Sequence, residues 1–335
     1  MSAADACAVL LWVGVTLYAL FGGADFGAGF WDLTAGGAER GERPRALIDR
    51  AIAPVWEANH VWLIFCLVVL WTAFPPAYAS ILSTLFIPLT LAALGIVLRG
   101  AGFAFRKVSV GLGTRRAYGA IFAVSSVLTP FFLGAALGGI ASGRVPEGNA
   151  AGDAVTSWAN PSGIMVGALA VAACAYVACV YLIGDAHRAG DAELEGYFRR
   201  RALAAGLVTG ALALAGILVL REDASYVYGR LIREALPFVL VSAVCGIAVL
   251  ALVARGRPRG TRLLGAGAVA AVIWAWGVAQ WPYMLPETLT VEQAAGDGGT
   301  LTWVLVVFGI AVVLVVPSLV LLLRLDQGGR LEEES

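Results

Sequence analysis

Ala53-Pro54-Val55-Trp56-Glu57-Ala58-Asn59-His60-Val61-Trp62 runs straight into Leu63 to Ala73, a stretch without a single charge, and this segment decides the fold. It reads as a helix that crosses a bilayer, yet Glu57, Asn59 and His60 lie within it. Ionisable groups at membrane depth are expensive and face a protein interior or a water-filled cavity, so they mark a candidate functional site.

The rest of the chain agrees with a membrane solvent. Hydrophobic residues make up 60% of it and charged residues only 14%, with a mean hydropathy of +0.83, far from the averages of a water-soluble domain. Against the roughly 20 residues needed to cross the hydrocarbon core, apolar windows predict spans near 7–30, 52–73, 77–98, 118–140, 162–184, 202–220, 234–254, 263–284 and 301–323. The expectation is an all-α polytopic membrane protein of nine transmembrane helices, forming one integral membrane domain over 1–335. The first apolar run passes Gly22 and Asp25 without a polar leader or a small-residue cleavage site, and is read as a retained helix.

Basic residues set the expected orientation, since Lys and Arg concentrate in cytoplasmic connections. Only Arg144, Arg221, Arg230 and Arg233 fall on one side of the predicted spans, and the other 19 of the 23 basic residues fall on the opposite side. The N-terminus is therefore expected outside and the C-terminus in the cytoplasm. A net charge of zero summed over two faces points to no polyanion, and nucleic acid is not among the expected partners.

Cys7, Cys66, Cys174, Cys179 and Cys245 all lie in apolar spans without a Cys-x-x-Cys pair, so they read as packing residues, with no disulfide framework and no metal site. Two histidines limit haem chemistry, because a b-type haem needs axial ligands that converge on one cavity. His187 sits beside Asp185 and Arg188 at a cytoplasmic helix end; only His60 lies at membrane depth, and it offers a weak haem-ligand reading.

Glu57 falls about five residues into the second predicted span, or roughly 8 Å from its cytoplasmic end at 1.5 Å per residue. Asp25 falls at a similar depth in the first. His60 shares a helix face with Glu57, Asn59 is adjacent, and Arg99 closes the third predicted span on the same membrane side. The expected polar cluster is Asp25, Glu57, Asn59, His60 and Arg99. Such a group can relay protons, since burial and neighbouring charge shift carboxylate affinity in opposite directions; it can equally be a set of pairs that fixes helix packing.

Gly22, Gly23, Gly27 and Gly29 around Asp25, and Gly134, Gly138 and Gly139 in the fourth span, read as close-approach surfaces between helices. The Gly-rich run around Asp25 follows no strand and lacks a phosphate-binding Lys, so it is not a nucleotide loop. Trp281, Pro282, Tyr283 and Pro286 end the eighth span with an anchored outer loop.

Several of these segments together resemble one family, subunit II of the cytochrome bd-type quinol oxidases. They are Gly23-Ala24-Asp25-Phe26-Gly27-Ala28-Gly29, the Pro54-to-Trp62 motif with Trp56 and Trp62, Arg99 with Gly102-Phe103-Ala104-Phe105-Arg106, Asn160-Pro161, and Trp281-Pro282-Tyr283-Met284-Leu285-Pro286. The resemblance covers nearly the whole chain. It implies two four-helix bundles, about 7–140 and 162–284, plus a peripheral ninth helix. It also implies pairing with a subunit I that carries haem b, haem d and the quinol-oxidising loop, while subunit II binds no cofactor directly and contributes to proton and dioxygen access. A small accessory subunit, membrane lipid or quinone are further partners it allows, with Trp158 and Asn160 as weak candidates for a quinone contact. The cell location implied is the bacterial cytoplasmic membrane.

The same resemblance assigns Glu57 to proton delivery from the cytoplasm. Many members read Trp-Asp-Gly-Asn-Glu or Trp-Asp-Gly-Asn-Gln here, so Glu57 extends the carboxylate by one methylene and His60 adds a titratable group. Many members also carry an Asp where this chain has Gly22. Two other readings stay open: a proton-coupled secondary transporter, and a cytochrome subunit holding its own haem at His60.

Overall fold

The computed structural model describes residues 2–37, 39–52, 56–109 and 111–327. Pro54 therefore lies outside the described residues, and Trp56 and Glu57 are placed by backbone only. In chain order the elements are α1 Ala3–Leu33, α2 Glu42–Ile52, α3 Trp56–Ala73, α4 Pro75–Thr84, α5 Phe86–Val108, α6 Leu112–Ala141, α7 Pro161–Arg188, α8 Ala192–Asp223, α9 Ser225–Leu231, α10 Leu236–Ala254 and α11 Thr261–Gln280. The antiparallel pair β1 Tyr283–Leu285 and β2 Leu289–Thr290 follows, then α12 Val291–Ala294 and α13 Gly298–Gln327. Among the described residues, seven helices, α1, α5, α6, α7, α8, α10 and α11, are long and apolar enough to cross a membrane, and the apolar stretches Asn59–Ala73 of α3 and Gly298–Leu314 of α13 are shorter.

Helix starts are set by local chemistry. The Ser2 hydroxyl accepts the Asp5 amide while the Asp5 carboxylate accepts the Ser2 amide, a reciprocal cap for α1. Asn160 caps α7 by accepting the Gly163 amide at 2.8 Å, with Pro161 in the first turn, where its missing N–H leaves nothing unpaired. Asp191 caps α8 through the Leu194 amide at 3.0 Å. Many apolar side chains face outward: Leu207, Val208, Leu214 and Leu218 on α8 are all exposed. Such a surface suits a hydrocarbon solvent, in which a helix satisfies its own backbone.

α1 is the hub, packing against α3, α6 and α7; α5 packs on α6, α6 on α7, α7 on α8, and α10 on α11. The closest approach is at Gly27, where a β-carbon would lie 1.9 Å from the Cys174 carbonyl oxygen of α7. Gly139 is similarly closed, its β-carbon position 2.3 Å from the Ser157 carbonyl oxygen. Gly22 and Gly23 differ from that expectation. The nearest atoms to a β-carbon at Gly22 belong to Tyr18 on its own helix, and Gly23 has ordinary contact with Cys174.

Several boundaries move from the predicted ones. The apolar window at 77–98 merges two helices: α4 starts on Pro75 and Pro76, Leu85 interrupts, and α5 begins afresh with Pro88 in its first turn and continues to Val108. Hydropathy cannot see that interruption, whereas proline in a first turn signals it. Arg99 consequently lies in the middle of α5 and does not close a span. Residues 53–55 lie outside the described residues, so the second predicted span is described only from Trp56 onward, as α3. The eighth helix ends at Gln280, before Pro282. Between the first two spans lies the unforeseen α2, a surface helix whose Pro44, Leu47, Ile48 and Ile52 are buried.

Candidate functional site

Asp25 and Arg99 meet in the interior. Arg99 Nη2 donates to Asp25 Oδ1 at 2.7 Å and to the Asp25 carbonyl oxygen at 3.2 Å, and Arg99 Nε donates to Ser126 Oγ at 3.1 Å. The two side chains are only 1% and 2% exposed. The guanidinium also lies over Phe26 and Phe122, 5.2 and 5.1 Å from their ring centroids, a favourable cation–ring geometry. One buried atom of this group, Asp25 Oδ2, accepts no hydrogen bond among the described residues.

Asn59 of α3 is buried and lines a cavity of about 130 Å³ together with Asp25, the end of α2 and the inner part of α7. The structure thus brings Asp25, Arg99 and Asn59 to one place. His60 lies beside them: its ring is 6.0 Å from Phe26 and 6.3 Å from Tyr18, and its Nδ1 is buried without a hydrogen-bond partner, as is the Tyr18 hydroxyl. Glu57 enters this neighbourhood through its backbone, two residues before Asn59. Trp62 stands apart, with its ring edge-on to Phe65 at 6.3 Å.

A second ionic layer lies closer to the helix ends. Asp32, seven residues after Asp25 on α1, pairs with Arg106, seven residues after Arg99 on α5; Arg106 also pairs with Asp49 of α2, and Arg45 Nε reaches Asp32 Oδ1 at 3.2 Å. Phe122 sits between the layers, its centroid 5.0 Å from the Arg106 guanidinium and 5.1 Å from that of Arg99. Partial burial pushes the Asp49 carboxyl above its ordinary range, opposed by the neighbouring Arg106. Asp32, Asp49 and Ser126 were not among the expected site residues. The matching seven-residue spacing of two aspartates and two arginines was the available signal, since it keeps each pair on one helix face two turns apart.

A haem held by this chain does not fit these residues. His60 is half-buried beside Tyr18 and Phe26 and does not line the nearby cavity, whose volume is well below the roughly 300–1,000 Å³ of small-molecule sites. His187 is bonded to Glu195 at the end of α7, and Met165 and Met284 lie on α7 and β1. Among the described residues no group of His, Cys, Asp and Glu could hold a metal ion. Asn160 and Trp158 are occupied structurally: Asn160 Nδ2 donates to the Thr156 carbonyl at 3.0 Å and Trp158 Nε1 to that of Ala154 at 3.1 Å.

The sequence model of the family described as cytochrome bd terminal oxidase subunit II matches residues 4–325. Among curated proteins, the chain is similar to the putative cytochrome bd menaquinol oxidase subunit II of Bacillus subtilis, 21% identical over 92% of this chain and 91% of that one. It is 33% identical to the cytochrome bd ubiquinol oxidase subunit 2 of the same organism, over 33% of this chain and 32% of that one. The cytochrome bd-I ubiquinol oxidase subunit 2 of Escherichia coli K12 is 29% identical over 65% of this chain and 58% of that one. The stretches matched thus span under two thirds of the last two relatives. A chain in the structure of the bd oxidase from Geobacillus thermodenitrificans superposes with a TM-score of 0.82 and 26% identity, covering 97% of this chain and 98% of that one.

Proposed function

Because the chain belongs to the cytochrome bd terminal oxidase subunit II family, we propose that it is the haem-free subunit of a bacterial inner-membrane quinol:dioxygen oxidoreductase. In this reading it pairs with a haem-bearing subunit I, stabilises it, and supplies it with protons and dioxygen. The family match and the likeness to the Geobacillus oxidase chain favour this over a proton-coupled transporter. α3 and α13 join the seven long helices as spans, giving nine, in two groups of four around the α1–α7 and α6–α7 contacts, with α13 at the periphery. The Arg-rich connections lie in the cytoplasm and the N-terminus outside.

The observation that carries the proton role is the buried Asp25–Arg99 pair, which among the described residues leaves Asp25 Oδ2 without a hydrogen-bond partner, at a cavity also lined by Asn59 of the helix that carries Glu57. Dioxygen reduction to water consumes a proton for each electron. Quinol would supply the electrons, and the partner's haem would provide the redox chemistry at which dioxygen is reduced; this chain's residues hold and pass the protons. Arg99 fixes the orientation of Asp25, and Glu57 receives protons near the cytoplasmic end of α3. Trp158 and Asn160 anchor the outer loop through their own hydrogen bonds. Lipid, quinone or a small accessory subunit would bind on the exposed apolar faces.

Glu57→Gln tests the role of Glu57 directly. It is expected to lower quinol oxidase turnover of the assembled complex at least tenfold while haem content per complex stays within about a fifth of wild type; tenfold corresponds to about 1.4 kcal/mol of barrier. Haem loss in proportion to the activity lost would make Glu57 a structural residue.

A further inference from the structure

We infer that α8 and α10 together form a binding site for an anionic phospholipid, with the phosphate held by Arg200 and Arg255 and the acyl chains laid along the exposed apolar stripes of the two helices. The inference goes beyond the oxidase reading and shares with it only the placement of α8 and α10 in the bilayer. It holds whichever side of the membrane the arginines face.

On α8, Arg200, Ala204, Leu207, Ala211, Leu214 and Leu218 are all exposed, and their spacing of three or four residues makes them one stripe along one helix face. On α10, Leu240, Val244, Ile247 and Arg255 are exposed at the same helical spacing, Arg255 standing just past the last turn. The two helices pack against each other. They run antiparallel, since Arg199 near the start of α8 donates to the carbonyl of Ala254 at the end of α10. Those two residues are the chain neighbours of Arg200 and Arg255, so each stripe meets an arginine at the same end of the pair. Leu207 lies about 10 Å along the axis from Arg200 at 1.5 Å per residue. That distance carries it past a headgroup layer roughly 5–8 Å thick and into the hydrocarbon.

The charge at this end is uncompensated. Among the described residues neither Arg200 nor Arg255 has a carboxylate partner. The acids nearest in sequence are already taken: Asp191 and Glu193 pair with Arg43, and Glu195 pairs with His187. Arg199 is committed to the Ala254 carbonyl, and Arg201 lies over the Tyr197 ring at 3.4 Å from its centroid. Arg200 and Arg255 therefore keep their donors for a ligand, and the exposed Arg257 and Arg259 on the turn into α11 add to the positive field. A guanidinium matches phosphate oxygens with parallel N–H donors, while its stem lies on apolar surface and its head stays at the interface. Basic clusters at the end of a membrane helix attract anionic lipid. A zwitterionic lipid would leave the positive charge unneutralised, and a free phosphate would leave the stripes unused.

The test uses the complete complex with its partner subunit, delipidated in mild detergent and titrated with equal amounts of phosphatidylglycerol and phosphatidylcholine of the same acyl chains. Native mass spectrometry reads the lipid retained, and no step depends on oxidase activity. Wild type is expected to retain phosphatidylglycerol in preference, and Arg200→Gln with Arg255→Gln to weaken that retention about tenfold while phosphatidylcholine is unaffected. Arg200→Gln alone serves if the double variant fails to assemble. Arg115→Gln with Arg116→Gln, two exposed arginines at the start of α6, is expected to change little; a loss equal to that of the α8–α10 variant would reduce the effect to diffuse charge and overturn the site. Competition by glycerol phosphate at the same concentration as the lipid would overturn the role of the apolar stripes. If both lipids are retained equally, the site falls and the two spans stand. If neither is retained, the placement of α8 and α10 against lipid falls with it.

Discussion

Asp25 with Arg99 and Asp32 with Arg106 are the same chemical pair, repeated seven residues further along the same two helices, but they sit in different surroundings. The inner pair is sealed, with side chains 1% and 2% exposed. Among the described residues, the other side chain that hydrogen-bonds to it is Ser126. The outer pair is reinforced by Arg45 and Asp49, and Asp49 is 38% exposed. Burial makes a single ion pair brittle, because removing one partner strands the other charge out of water. A network near the surface shares the load, since each charge keeps another partner or water.

The largest effect expected from this difference is at Arg99. Arg99→Met strands Asp25 and is expected to destabilise the subunit by about 3–5 kcal/mol, the range for breaking a buried pair, seen as loss of assembled complex on native gels. Asp25→Asn is expected to cost assembly more than turnover for the same reason; a fully assembled but slow complex would contradict it. Replacing both residues, Asp25→Leu with Arg99→Met, is expected to restore part of the assembly, because no lone charge remains.

Arg106→Met is expected to be milder, about 2 kcal/mol for the charged hydrogen bonds lost, because Asp32 keeps Arg45. Thermal melting of the purified complex would separate it from Arg99→Met, and equal losses would erase the contrast between layers. Phe122→Leu touches both layers and is expected to cost about 1–2 kcal/mol from two cation–ring contacts. Its effect should shrink when either arginine is already absent, as a double-mutant cycle can show.

Asp49→Asn is the smallest, no more than about 0.5 kcal/mol at neutral pH. Burial raises the affinity of Asp49 for its proton in the folded state, so the contribution of that proton to stability is present below its unfolded pKa and is lost as pH rises through the folded one. Wild type should therefore lose a little stability relative to Asp49→Asn as pH rises above the ordinary aspartate value of about 3.9. The opposite slope in melting curves would mean that Arg106, and not burial, dominates at Asp49.

Much of this was legible in the residues. Apolar length located every long helix, and intramembrane charge picked out Asp25, Arg99 and Asn59, which the structure brings together. Hydropathy failed where two helices share one apolar run, at Leu85, and there Pro88 carried the missing information. It also passed over α2, whose Arg40-to-Arg50 surroundings read as a loop although Leu47, Ile48 and Ile52 repeat at helical spacing. Asp185 was hidden for another reason: beside Gly184, His187 and Arg188 it looks like a solvated helix end, and only the packing of α1 and α2 against α7 turns it toward a cavity.

The most direct test of the central claim is a reduced-minus-oxidised visible spectrum of this chain, purified in mild detergent alone and then with its co-expressed partner subunit. Haem bands that appear only with the partner are the predicted result. Haem bands from the isolated chain would contradict a haem-free subunit II and return His60 to the position of an axial ligand.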